Sequence, residues 1–140
     1  MAFNILIVDD SKIIRSMVER TIRISGVPVG EIFEAANGAE GLEVLNSQWI
    51  DLVMADINMP VMDGMAMLDK MHEQELLHAV PVVIVSTEGS ETKIEKLWRQ
   101  GIKAFIRKPF TPEAIRSVIR DILGEWTDGD GTEFDSPDSF

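Results

Sequence analysis

Five short apolar runs recur along this chain, each followed by a segment with helical spacing, and that alternation limits the fold more than any other feature. Phe3-Asn-Ile-Leu-Ile-Val8 reads as a first strand, Glu31 to Ala36 as an exposed second, and Leu52 to Ala55 as a third buried on both faces. Pro81-Val-Val-Ile-Val-Ser86 is a fourth and Ala104-Phe-Ile-Arg107 a fifth. Between them lie helical segments. Ser11 caps the first, which carries Ile14, Met17, Val18 and Ile22 and stops at Gly26. Asn37-Gly38 turns into a second over Ala39–Leu45, and Asp63-Gly64 starts a third from Met65 to about Leu77. The fourth covers Glu91–Gln100 and ends at Gly101. The last has Thr111 as cap, Pro112 in its first turn, and Ile115, Val118, Ile119 and Ile122 on one face. Strict β–α alternation with right-handed crossovers predicts a doubly wound parallel sheet with helices on both faces, in one α/β domain. Strand order does not follow from the pattern.

In an open parallel sheet, ligands sit beyond the carboxyl ends of the strands. Asp9 and Asp10 follow the first strand, Asp56 the third, Ser86 ends the fourth and Lys108 follows the fifth. Taken singly, each acid is equally a helix cap or a turn residue, and Ser86 a turn residue. Taken together on neighbouring strands, they would converge on one crevice. Two unit charges about 5 Å apart repel by roughly 3 kcal/mol at an effective dielectric of 20, so clustered carboxylates call for a cation. An all-oxygen donor set suits Mg²⁺ or Mn²⁺. With a lysine and a hydroxyl added, the set describes a site that takes a phosphoryl group onto a carboxylate.

Val8-Asp9-Asp10, the segment Asp56-Ile-Asn-Met-Pro-Val-Met-Asp-Gly64, the strand ending at Ser86 and Lys108-Pro109-Phe110 together resemble the receiver domain of bacterial response regulators, most closely its stand-alone chemotaxis members. The similarity runs from about Asn4 to Leu123. It implies a flavodoxin-like five-stranded sheet of order 2-1-3-4-5. It also implies a two-component phosphoprotein in which Asp56 accepts a phosphoryl group from a histidine kinase. Asp10, Asp56 and the backbone carbonyl of Asn58 would bind Mg²⁺, with Asp9 assisting. Lys108 would contact the phosphoryl oxygens, and its bond to Pro109 is expected to be cis. Ser86 would be the switch hydroxyl and Phe105, where many relatives have Tyr, the aromatic that moves inward. Thr87 stands where relatives carry a smaller residue. Asn58 and Glu88 would flank the water that removes the phosphoryl group, tuning dephosphorylation.

The net charge is −11, and its distribution narrows the partners. Residues 1–80 hold 13 acids and 5 bases, residues 81–124 hold 5 and 8, and residues 125–140 hold 6 acids and no base. Binding to nucleic acid by the whole chain is disfavoured. No apolar run is long enough for a membrane span and no signal-peptide pattern opens the chain, so a cytoplasmic protein without membrane contact is expected, as a monomer. Cysteine is absent, which removes disulfides and thiolate zinc sites.

The locally basic stretch, with Lys93, Lys96, Arg99, Lys103, Arg107, Arg116 and Arg120, predicts a face within residues 88–123 that meets an acidic or amphipathic downstream protein or peptide. Receiver domain and tail divide as 1–124 and 125–140, the latter reading first as an acidic, disordered, solubilising end; its acids and Trp126, Phe134 and Phe140 offer the second reading of weak folding back on the basic face in competition with partners. Met59, Met62, Met65, Met67 and Met71 read as adaptable packing, and Trp98 as core or binding patch. His72 and His78 do not form a zinc pair, and Asp128 to Asp130 lack the glycine and glutamate of a calcium loop. Two roles remain open: a switch that docks on a motor or adaptor, or a phosphorelay carrier that passes its phosphoryl group to a histidine phosphotransfer protein. A metal-dependent phosphatase on a similar sheet is a third, remoter reading.

Overall fold

The computed structural model describes residues 2–77, 79–87 and 90–124. Five parallel strands, β1 (Phe3–Val8), β2 (Val29–Ala35), β3 (Leu52–Ala55), β4 (Val82–Ser86) and β5 (Ala104–Arg107), form one sheet of order β2-β1-β3-β4-β5. Helices α1 (Lys12–Ile24), α2 (Gly38–Ser47), α3 (Gly64–Glu73) and α4 (Glu91–Gln100) fill the four crossovers, and α5 (Pro112–Leu123) follows β5 and packs beside α1.

The period-two alternation of the strands splits the core cleanly. Leu6, Val8, Val53, Ala55, Val82 and Ile84 face α2, α3 and α4, meeting Leu42, Leu45, Met67, Leu68, Met71 and Leu97. Phe3, Ile5, Ile7, Leu52, Met54, Val83 and Val85 face α1 and α5, meeting Val18, Ile22, Ile115 and Ile119. Burial of each such aliphatic side chain contributes about 1.5–3 kcal/mol, so the central strands anchor both layers. The α-helical caps are chemical as well as geometric: Ser11, Asn37, Asp63, Ser90 and Thr111 each accept a backbone N–H of the helix they start.

Several element boundaries differ from the sequence reading. Edge strand β2 starts at Val29, because Asn4 Oδ1 accepts the Glu31 N–H at 2.9 Å and draws the strand start onto β1. Helix α2 is longer at both ends than Ala39–Leu45. Helix α3 stops at Glu73, short of Leu77. There Glu75 adopts φ 60°, and the Glu75 and Leu76 N–H groups bond back to His72 O (3.0 Å) and Met71 O (2.8 Å). This is a Schellman closure with glutamate in the left-handed position that glycine usually holds. The methionines read as packing do pack: Met59 is buried, Met67 and Met71 fully so, and Met62 and Met65 lie against the same core. His72 is exposed; His78 and residues 125–140, including the tail, lie outside the described residues. Among the described residues no helix is long and apolar enough to cross a membrane.

Candidate functional site

At the carboxyl rim of β1, Asp9 is still held on the sheet, its N–H donating to Ala35 O at 3.0 Å. Its side chain is buried, one carboxylate oxygen accepting Ser11 N–H at 2.9 Å and the other lying 3.2 Å from Lys108 Nζ. Asp10, the next residue, is exposed. Next door, Asp56 follows β3, its N–H donating to Val8 O at 2.9 Å. Its Oδ1 accepts Ile57 N–H at 2.7 Å and its Oδ2 lies 3.6 Å from Lys108 Nζ. Carboxylate oxygens of Asp9, Asp10 and Asp56 all lie within 4.8 Å of one another.

Lys108 reaches this cluster because its backbone N–H donates to Ser86 O at 2.9 Å, fixing the β5–α5 loop against the end of β4. The Lys108–Pro109 peptide is cis. Ser86 is buried at the same rim, while Thr87 is exposed. Asn58 is exposed on the loop after Asp56. That loop is tightly tied: Gly64 N–H donates to Ile57 O at 2.7 Å, Gly38 N–H to Met62 O at 2.8 Å, and Val61 sits at φ 68° in a three-residue turn closed by Met62 N–H on Pro60 O. Phe105 is half-buried against the core on the α2–α4 side, with the Arg107 guanidinium 6.0 Å from its ring centre. Glu88 lies outside the described residues.

The structure therefore brings together Asp9, Asp10, Asp56 and Lys108, with Ser86 on the adjacent strand end. It keeps Phe105 two register positions deeper, opposite Ile84 rather than Ser86. The donor set fits a hard divalent ion: three carboxylates at one point, one of them facing solvent, leave room for the waters that Mg²⁺ retains. Lys108 partly balances the same charge.

Two features were not singled out in the sequence. Arg15 on α1 donates from Nη1 to Asp9 O and from Nε to Glu34 Oε1, both at 2.7 Å. The first turns of α1 also leave Ile13 and Met17 exposed, at 74% and 57%. Met17, one of the apolar residues whose spacing marks α1, borders a groove of about 370 Å³ with Ile14, Val18, Thr21, Pro109 and Phe110, beside Lys108. The basic stretch is likewise less uniform than its sequence. Arg116 turns away towards α1 and donates to Ser25 O at 3.0 Å, whereas Lys96, Arg99 and Lys103 are exposed. Trp98 is about half exposed beside fully buried Leu97.

A doubly wound sheet with an acidic crevice and an opposed lysine at its carboxyl rim defines a class of cation-dependent phosphoryl-accepting domain. Residues 5–120 match the model of the response regulator receiver domain, and the chain belongs to that family. A chemotaxis protein CheY homolog of Campylobacter jejuni is 29% identical over 121 residues, covering 86% of this chain and 92% of that protein. The two-component response regulator ARR17 of Arabidopsis thaliana is 36% identical over 118 residues, covering 76% of this chain and 75% of that protein. The solved structure of Vibrio cholerae chemotaxis protein CheY4 superposes with a TM-score of 0.77 at 31% identity, covering 88% of this chain and all of that one. Receiver domains are phosphoacceptor switches of two-component systems rather than conventional enzymes, and they bind Mg²⁺ through an acidic pocket.

Proposed function

We propose that this chain is a phosphorylation-activated response regulator that takes a phosphoryl group from a histidine kinase onto Asp56 and thereby switches partner binding, in a cytoplasmic chemotaxis pathway. The observation that carries the reading is Lys108 Nζ poised between Asp9 and Asp56, with Asp10 completing a three-carboxylate cluster. Mg²⁺ bound by Asp10, Asp56 and the Asn58 carbonyl, with Asp9 assisting, would supply neutralisation of the phosphoryl oxygens; Mn²⁺ fits the same donors. In the transfer, an Asp56 carboxylate oxygen forms the new bond to phosphorus as the phosphorus–nitrogen bond of the donor phosphohistidine breaks, and the released imidazole nitrogen takes up a proton. The Ile57 N–H holds the carboxylate in orientation, and Lys108 meets the added charge of about −1.5 to −2.

Ser86 is then drawn to the phosphoryl group and Phe105 moves inward, altering the α4–β5–α5 surface where Lys96, Trp98 and Lys103 are exposed. Moving such a switch from mostly off to mostly on takes about 5.5 kcal/mol of differential stabilisation. An acidic or amphipathic peptide fits that surface. The phosphodonor approaches from the other side of the crevice, over Ile13, Met17 and the groove beside Pro109 and Phe110. Asn58 and Glu88 tune hydrolysis of the acyl phosphate; a lifetime of seconds to minutes is expected, and one of hours would remove that role.

The test is labelling by acetyl phosphate and by a cognate kinase. Asp56→Asn should abolish both, and wild-type labelling of that variant would overturn the assignment. Met17→Asp should slow transfer from the kinase and leave acetyl phosphate labelling unchanged; equal effects on both would sink the docking face. Onward transfer to a histidine phosphotransfer protein in the same assay would make the chain a relay carrier instead.

A further inference from the structure

We propose that Arg15 is a positioning residue for the cation site, clamping the peptide that joins Asp9 to Asp10. The inference rests on the reading of the acidic cluster as a divalent-cation site.

Its origin is the end of a ladder. The N–H and C=O of a residue in a parallel strand point to the same neighbour, and Asp9 N–H is bonded to β2 at Ala35 O. The Asp9 carbonyl therefore also faces the β2 side, where the Asn37 N–H would meet it if β2 ran on in the same register. The chain has already left the sheet there: Ala36 N–H goes to Glu40 Oε1 at 2.9 Å, and Asn37 caps α2. Arg15 takes the missing place, its Nη1 lying 2.7 Å from Asp9 O. It can do so from six residues further on because helical side chains lean towards the helix N-terminus, which here is the acid loop itself. The second point of the clamp is Nε on Glu34 Oε1 at 2.7 Å, with the Arg15 side chain only 14% exposed. Glu34 lies in β2 opposite Ile7, so it is anchored to the same strand pair.

The consequence falls on Asp10. A peptide unit is planar from Cα to Cα, so fixing the Asp9 oxygen fixes the direction in which the Asp10 Cα leaves the strand. Asp9 has two further anchors, Ser11 N–H and Lys108 Nζ, but neither acts on that peptide plane. Asp10 is exposed, so its place in the cluster depends on its backbone. Glu34 also offsets the guanidinium charge beside a site that binds a cation, leaving Arg15 to act by geometry.

The experiment uses the full chain with Arg15→Met, Arg15→Lys and Glu34→Gln. Mg²⁺ affinity is titrated calorimetrically, melting is followed with and without saturating Mg²⁺, and acetyl phosphate labelling is measured at saturating Mg²⁺. Arg15→Met should weaken Mg²⁺ binding about tenfold, in the range found for outer partners of metal ligands. Labelling at saturating Mg²⁺ should stay within about twofold of wild type, since the reacting groups are untouched. Lysine supplies charge without the two-point fork, so Arg15→Lys should restore little of the affinity. Glu34→Gln should weaken binding by a smaller factor. Unchanged Mg²⁺ affinity in Arg15→Met, with only a lower melting temperature, would make the clamp a stability device and overturn the proposal. Should Arg15→Met fail to fold, wild-type affinity in both Arg15→Lys and Glu34→Gln would overturn it equally. Failure of the underlying reading looks different: the unaltered chain itself would not bind Mg²⁺.

Discussion

Gly64→Ala sets two effects of known sign against each other. Gly64 is the first residue of α3, where alanine on propensity alone would stabilise by about 0.5–1 kcal/mol. Yet a Cβ at this position would run into the Asp56 carbonyl oxygen, well inside contact distance, and meet Ile57 Cα at 3.0 Å and the Asp56 carbonyl carbon at 3.3 Å. These are backbone atoms of the segment that carries the proposed phosphoacceptor, pinned by Gly64 N–H on Ile57 O, so no rotamer change can relieve the overlap. Overpacking costs about 1–3 kcal/mol, and against pinned backbone atoms the upper part of that range, about 2–3, applies, which leaves a net loss of about 1–2 kcal/mol after the helix gain. At about 4 °C per kcal/mol for a domain of this size, melting should fall by roughly 4–8 °C. Relief by a backbone shift of about 0.5 Å would exceed the tolerance of a site built to hold reacting groups, so acetyl phosphate labelling should drop at least tenfold. Gly41→Ala is the comparator. There the added Cβ meets only side chains, Met67 Sδ at 3.2 Å and Val8 Cγ2 at 3.3 Å, and the thioether can yield. Its labelling should match wild type. A Gly64→Ala protein that melts higher and labels normally would refute the close-approach argument.

Lys108→Met removes a positive charge 3.2 Å from Asp9 and 3.6 Å from Asp56, so Mg²⁺ should bind more tightly by on the order of 1 kcal/mol, about fivefold, while labelling no longer alters partner binding; calorimetric titration showing equal or weaker Mg²⁺ affinity would contradict the charge balance described here. Glu75→Gly places glycine at the left-handed residue closing α3 and should raise the melting temperature by about 4 °C, since a non-glycine residue there carries about 1 kcal/mol of strain; an unchanged or lower melting point would show that the turn is not strained.

What could be read from the chain before its structure divides along a physical line. Elements bounded by their own chemistry were legible to the residue: β1, β3, α4 and β5 occur where their apolar runs and caps place them, α4 between Ser90 and the left-handed Gly101. Asp9, Asp10, Asp56 and Lys108 were legible for the same reason, because each lies at a strand end and the sheet order does the rest. The end of α3 was not. Leu76 and Leu77 continue the helical spacing of apolar residues, and nothing in the type of Glu75 signals a positive φ; the same leucines pack on the core from a reversed chain instead. The exposure of Met17 was no more legible, since α1 has apolar residues on more than one face and spacing cannot say which face the sheet covers.

Arg15 is the instructive case. Its partners are a carbonyl six residues earlier and an acid on the neighbouring strand, and both relations exist only once β1 and β2 are in register with Ile7 opposite Glu34. A local pattern can mark an arginine one turn into a helix after two acids, but the orphaned carbonyl that gives it work appears only where one strand outlasts its neighbour. The residues proposed to carry the chemistry thus announce themselves through strand ends, whereas the one proposed to position them answers a hydrogen-bonding vacancy created by the assembled sheet. On the proposal made for Arg15, this site should accordingly lose cation affinity through a change at that ladder end even when every carboxylate and the lysine are intact.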